Sequence, residues 1–285
     1  MLLVASVANN QFASGICADG IIQYLIDRLH QIKNDDTVQG LCQQLLFKGD
    51  TEALKLIIKD APIDYYKTWA EGHLYFLEGD FKKALVYLDA GQDLLRKAKK
   101  VRRLDYDTIQ LIIGLCLLKI DVDVPVWEKY WKGIVTKGLT ASLPVKLTMM
   151  LANMANTKEL QEIQQGEVLS LSQQTYIHHA PFVAYMCYWV SRKDVAEKML
   201  EDKNVDLMIR SNLWLFDEIN TLKLLMEPGE PEIPEAAILH QIYTPKPEWE
   251  LLLDQIQKVM LVSNPDIVDG QDERAIWLVD FKKYS

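Results

Sequence analysis

Three groups of residues in this chain have types and spacing that could do chemistry. Arg96, Lys97, Lys99, Lys100, Arg102 and Arg103 place six cations within eight positions. Charge of that density suits the phosphates of a nucleic-acid backbone or an acidic partner, which it would hold by counterion release rather than by reading sequence. No aromatic ring interleaves with it, so bases would find no stacking platform and the contact would be nonspecific. A plainer role is also open, because cations at the end of a helix are favoured by its dipole, by a few tenths of a kcal/mol to about 1 kcal/mol. Tyr65, Trp69, His73 and Tyr75 form the second group. On the first helix of a stacked pair such rings could line a groove that grips an extended or helical peptide, and the same spacing would equally serve a core face. The third group is the pair His178 and His179. Adjacent side chains diverge on a helix and no Asp, Glu or Cys stands beside them at ligand spacing, so the pair reads as a helix start or a surface feature.

Other polar pairs have simpler explanations. Asp105 with Asp107, and Asp121 with Asp123, fall in turns or at helix starts, where carboxylates cap open N–H groups. No serine lies in a Gly-x-Ser-x-Gly elbow and no Gly-x-x-x-x-Gly-Lys-Ser/Thr phosphate loop occurs. No catalytic residue, metal ligand or cofactor is therefore assigned, and the expectation is a protein that is not an enzyme.

Helices must position these groups. Leu-rich segments with helical spacing recur between short polar turns: Ile21, Tyr24, Leu25, Ile26 and Leu29 share one face, and Leu41, Leu45 and Leu46 another. Two turns are alike, Lys48-Gly49-Asp50 and Glu78-Gly79-Asp80, with their Gly-Asp pairs 30 residues apart. Gly can adopt the left-handed conformation that closes one helix, and Asp can accept from the open N–H groups of the next. Further helices are predicted over 105–119, 126–136, 142–155, 158–170, 181–190, 194–202 and 212–226, with Pro125 and Pro181 in first turns.

The segment 227–234 carries three prolines and three glutamates and cannot continue a helix or an inner strand. It divides a helical-repeat domain, 1–227, from a small α/β element, 228–285. In that element 238–243 reads as a strand, 247–262 as a helix and 275–281 as a strand. A strand holding Ile276, Trp277, Leu278, Val279 and Phe281 wants cover on both faces, which suggests the start of a further domain in a longer protein.

Composition narrows the setting. A formal net charge of -9 and a pI near 5.1 argue against a surface whose overall field draws nucleic acid or anionic lipid. Cys17, Cys42, Cys116 and Cys187 are scattered among apolar residues, as buried thiols of a reducing compartment would be. The first residues, Met-Leu-Leu-Val-Ala-Ser-Val-Ala, precede any Lys or Arg, unlike the charged start of a secretory signal. The longest apolar run falls short of the roughly 20 residues that span a bilayer. A cytoplasmic protein without a membrane segment is expected.

The stretch from Trp69 to Ala90, with Gly72, Tyr75, Gly79, Asp80, Phe81 and Ala84, resembles a tetratricopeptide unit, whose period is roughly 34 residues. It departs from the pattern in three places: Trp69 is one position late, Leu88 replaces an aromatic and Gly91 replaces an alanine. The resemblance implies a mainly α fold, a right-handed solenoid of stacked helix pairs. A second resemblance is to the helical region before the ATPase core of bacterial Swi/Snf-family helicase-like proteins. It rests on Gly79-Asp80-Phe81-x-x-Ala84-Leu85 followed by the basic cluster, on Tyr243-Thr-Pro-Lys-Pro-Glu-Trp-Glu-Leu-Leu-Leu, and on Glu273-Arg-Ala-Ile-Trp-Leu-Val-Asp-Phe. It implies an accessory scaffold that binds a partner, or the motor lobes of its own full-length chain. A stand-alone adaptor or chaperone, and a nonspecific nucleic-acid module using the cations from Arg96 to Arg103, are the alternatives.

If the cations engage nucleic acid, binding to duplex DNA at low salt should weaken steeply as salt is added. It should also fall when Lys99, Lys100, Arg102 and Arg103 are all changed to Ala. Undetectable binding in 50 mM salt, read by fluorescence anisotropy, rules that use out.

Overall fold

A computed structural model describes residues 2–13, 18–33, 35–61, 64–97, 103–120, 179–189 and 193–243. Among these residues it contains α-helices, one 3-10 turn and no strand, so the chain is mainly α. The N-terminal helices are α1 (Leu2–Ala13), α2 (Asp19–Ile26), α3 (Asp35–Lys48), α4 (Thr51–Asp60), α5 (Asp64–Leu77), α6 (Phe81–Lys97) and α7 (Arg103–Ile120), with the 3-10 turn at Leu29–Gln31. Then come α8 (Ala180–Trp189), α9 (Lys193–Glu201), α10 (Lys203–Arg210), α11 (Leu213–Met226) and α12 (Ile238–Ile242).

Two turns of the same build join α3 to α4 and α5 to α6. Gly49 has φ +67° and Gly79 has φ +76°, the left-handed region that a side chain disfavours. In the first turn the Gly49 and Asp50 N–H groups donate to Leu46 and Leu45 carbonyls at 3.0 and 2.9 Å. In the second, Gly79 and Asp80 donate to Phe76 and Tyr75 at 3.1 and 2.9 Å, which closes the carbonyls that the ending helix leaves open. Each aspartate then starts the next helix: Asp50 accepts from the Ala53 N–H at 2.9 Å and Asp80 from the Lys83 N–H at 3.2 Å. The similarity seen in the sequence is thus a similarity of hydrogen bonds.

Packing within the second pair depends on a missing side chain. A Cβ placed on Gly72 would lie 2.6 Å from Leu88 Cγ, so glycine is what lets α5 and α6 approach at this level. Gly91 differs, since a Cβ there would meet Thr68 Cγ2 and the Trp69 backbone at an ordinary 3.8 Å.

Helices α3 and α7 occupy the centre. Every residue over 37–47 of α3 and 108–118 of α7 is buried. A helix wrapped on all sides needs no polar stripe, which is why their sequences show little amphipathic contrast. Cys42, Cys116 and Cys187 are buried, as the sequence indicated, and burial raises the Cys116 thiol far above its usual range.

The later helices return to the first ones. Helix α11 packs on α3 and α8, beyond the neighbour-to-neighbour contacts that stacking alone requires. The Trp214 ring meets Phe76 edge-on at 6.4 Å and Phe182 at 6.3 Å, while Phe182 meets Phe47 at 6.2 Å. Lys48 Nζ reaches both Asp19 at 2.6 Å and the Ser211 carbonyl at 3.2 Å, a bond across 163 positions.

Predicted helices over 105–119, 181–190, 194–202 and 212–226 appear as α7, α8, α9 and α11, with ends shifted by one or two residues. Helix α10 was missed: Asp202 caps it, accepting from Asn204 and Val205 N–H at 2.9 and 3.3 Å, and Val205, Met208 and Ile209 are its buried face. The predicted strand over 238–243 is corrected, because these residues form α12. Buried Leu239, Ile242 and Tyr243 suit a helical face, and the Glu218 carboxyl group accepts from the first helical N–H groups, fixing the turn. The predicted elements 126–136, 142–155, 158–170, 247–262 and 275–281 lie outside the described residues.

The two glycines should respond oppositely to alanine. Gly91→Ala should stabilise by about 0.5–1 kcal/mol by removing helix-interior glycine entropy. Gly72→Ala should destabilise by about 1–3 kcal/mol through overpacking against Leu88. Urea unfolding of both variants checks the pair, and equal shifts would contradict the packing described.

Candidate functional site

The four aromatic candidates fall on one helix but not on one surface. Tyr65 is the second residue of α5, and its side chain lies outside the described residues. Trp69 and His73, one turn apart, are fully buried with ring centroids 5.7 Å apart. Among the described residues neither Trp69 Nε1 nor either His73 ring nitrogen has a hydrogen-bond partner, and burial lowers the His73 pKa to about 3. Rings without exposed surface offer nothing to a peptide in this arrangement, so the groove reading loses Trp69 and His73. The physical reason is that their face of α5 serves the core.

Tyr75 is placed differently. Six residues beyond Trp69 is about two-thirds of a turn round a helix, and there the ring is only partly buried. It stacks on Tyr87 of α6 with centroids 5.3 Å apart and planes at 25°. Lys83 Nζ lies 5.2 Å from the Tyr75 centroid and pairs with Asp80 at 2.9 Å. That pairing, hydrogen bond first, holds the Asp80 carboxyl below its usual range and the Lys83 ammonium above. The Glu71 charge, then Tyr75, raises the Tyr87 hydroxyl, and partial desolvation raises Glu71 itself. Val86, 66% exposed, adds an apolar point beside Tyr87. Glu71, Tyr75, Lys83, Val86 and Tyr87 thus present rings, charge of both signs and a bare aliphatic side chain on the α5–α6 hairpin.

The basic group is only partly in view. Arg96 and Lys97 end α6, with Lys97 exposed, and Arg103 begins α7. A cation at the C-terminal end of α6 complements its dipole, whereas one at the N-terminus of α7 does not. Lys99, Lys100 and Arg102 lie outside the described residues, and so does His178.

His179 stands at a helix start, one of the two expectations for it, but not at the surface. It is buried immediately before α8, its Nε2 2.9 Å from Thr108 Oγ1 of α7, and Thr108 Oγ1 also accepts from Gln43 Nε2 of α3 at 3.3 Å. The three residues tie the two central helices to α8. Their only signal in the sequence was polarity inside apolar runs, which does not reveal the partner 71 positions away.

A second missed centre is Glu218, 1% exposed on α11. Its carboxyl group accepts from the Ile238 N–H at 2.6 Å, and Tyr185 of α8 donates to the Glu218 backbone carbonyl at 2.7 Å. A glutamate in the middle of an otherwise apolar helix face was the available cue.

Among the described residues no group of three or more His, Cys, Asp or Glu is arranged to hold a metal ion, and no helix is long and apolar enough to cross a membrane. No protein-family model, curated protein or solved structure matches the chain.

Burial of neutral His73 has a consequence for acid stability. Its folded pKa, about 3, lies below the ordinary 6.5, so below pH 6.5 the unfolded chain takes up a proton that the fold does not. Stability from this group is present above pH 6.5 and falls by up to roughly 1.4 kcal/mol per pH unit as pH drops toward 3. His73→Leu should flatten that fall, measured as the urea midpoint between pH 7.5 and 5. An unchanged slope would place the acid sensitivity elsewhere.

Proposed function

We propose that this chain is a noncatalytic scaffold for protein–protein interaction, a tetratricopeptide-like stack of helix pairs whose partner docks on the exposed face of the α5–α6 hairpin. The observation that carries the reading is the pair of matching Gly-Asp turns, with Gly72 seating Leu88 between their second pair of helices. Such pairs cannot bury their faces alone and build extended surfaces by stacking. The Tyr75–Tyr87 stack beside Lys83 and Val86 supplies ring area and charge of the kind that concentrates binding energy.

The most specific partner is the motor of a Swi/Snf-type ATPase, with residues 1–227 as an accessory helical domain and 228–285 leading toward the motor, in the cytoplasm. This rests on the resemblance of the Gly79 to Arg103 stretch and of the two tryptophan-containing segments beyond Pro234.

Reading the gene beyond the codon for Ser285 tests the partner: an in-frame phosphate loop supports it and an immediate stop codon overturns it. The surface has its own test. Changing Tyr75 and Tyr87 together to Ala should weaken binding to the purified motor domains at least tenfold, about 1.4 kcal/mol, by calorimetry. The melting transition should stay cooperative, and undiminished affinity would remove this face from the interface.

A further inference from the structure

Helix α12 has five residues, too few to hold itself together in water. It is reached from α11 through an exposed connector holding Pro228, Pro231 and Pro234, and it is kept in place by what it docks against. Leu239, Ile242 and Tyr243 are buried there, Tyr243 stacks on Tyr185 at 5.9 Å, and Lys119 of α7 donates to the Gln241 carbonyl at 3.2 Å. At the head of the helix stands Glu218, whose partners among the described residues are all neutral. Oε1 accepts from the Ile238 and Leu239 N–H groups at 2.6 and 3.3 Å, and Oε2 shares the Leu239 N–H at 3.3 Å and lies 3.4 Å from the Tyr185 hydroxyl oxygen.

Hydrogen inventory decides which form of the acid fits. The Tyr185 hydroxyl has one hydrogen, and its 2.7 Å contact with the Glu218 backbone carbonyl uses it. If Glu218 is ionised, Oε2 keeps its share of the Leu239 N–H but also faces a phenolic lone pair, with no cation among the described residues to offset the buried charge. If Glu218 is neutral, its own hydroxyl donates to that oxygen while Oε1 still accepts both N–H groups. We propose that the Glu218 carboxyl is a proton-operated latch: neutral, it holds α12 against α7, α8 and α11; ionised, it releases α12 and its connector and bares the apolar surface around Tyr185.

The surroundings agree. Burial raises the Glu218 pKa to about 7, outweighing the N–H groups of Leu239 and Ile238 and the Tyr185 contact, with Asp217 adding a small push upward. Undocking would return the carboxyl to water and to its ordinary value near 4.5. The docked state therefore carries a raised pKa: its stabilisation is full below about 4.5 and lost as pH climbs through about 7. Of the other groups that face this cluster, burial keeps the Tyr185 and Tyr243 hydroxyls protonated across this range. Tyr188, beside Tyr185, carries the Lys193 ammonium 5.5 Å from its ring. Cys187 lies near Tyr243. His240, on the Trp189 ring at 6.2 Å, has its pKa lowered by burial, so its protonation opposes docking in acid, the reverse of Glu218.

Hydrogen exchange of the α12 amides, corrected for intrinsic rates and followed from pH 5 to 8, tests the latch. Protection should fall by up to about tenfold per pH unit between pH 5 and 7 and level off above. Glu218→Gln should abolish the fall, leaving at most a shallow rise with pH from His240, and His240→Gln should leave the fall in place. A flat wild-type profile overturns the proposal, and so does a fall that survives Glu218→Gln or disappears in His240→Gln. Should Glu218→Gln fail to fold, the carboxyl of wild-type Glu218 can be titrated by carbon NMR. A midpoint near 7 supports the latch, and one near 4.5 ends it.

Discussion

Every α-helix leaves open N–H groups at its start and open carbonyls at its end, and a protein built from helices must satisfy them wherever water cannot. That constraint organises this molecule. Between α3 and α4, and again between α5 and α6, one glycine and one aspartate answer it within two residues. The short turn brings the helices of each pair side by side, and Gly72 then sets how closely the second pair can approach. At α10 the answer is again local, from Asp202. At α12 it comes from a carboxyl group 20 residues earlier in the chain, so capping becomes tertiary structure.

The central helices meet a related demand. Because α3 and α7 are enclosed, a polar side chain on them gains most from a partner inside, and Gln43, Thr108 and His179 supply one another across three elements. Such links add direction to packing that apolar contact alone leaves free to slide. His73 and Trp69 show the contrary case, with buried polar atoms that carry no hydrogen bond among the described residues. Their cost is tolerated because both rings contribute large apolar area to the same core.

The contrast between Tyr75 and its neighbours on α5 explains how one helix serves two purposes. Trp69 and His73 spend their surface on the core, while Tyr75, turned away, keeps part of its ring outside and stacks on Tyr87. The hairpin is thereby a structural unit on one side and an adhesive one on the other. Lys83 joins both, capping geometry through Asp80 and the ring face of Tyr75.

Much of the helical frame could be read from residues alone, because the signals are local. Gly followed by Asp dictates a helix end and a helix start whatever lies around it, and both turns form as their residues require. Local apolar spacing located α7, α8, α9 and α11 for the same reason. The buried state of Cys42, Cys116 and Cys187 was legible in their apolar neighbours. Helix α10 was missed although its Asp202 cap is local, and the other failures depended on a distant partner. The sequence 238–243 has apolar residues that satisfy a two-residue or a 3.6-residue period, and only Glu218, delivered by α11, selects the helix. His179 is polar and adjacent to another histidine, yet Thr108 and Gln43 make it an interior residue. Which of Tyr65, Trp69, His73 and Tyr75 face outward was likewise undetermined, since periodicity gives the angle between side chains but not the direction of the core. By itself the sequence determined the two Gly-Asp turns and most of the helices predicted within the described residues. The tertiary structure decided which faces they bury, because burial is set by the neighbours that folding brings and not by the residue that is buried.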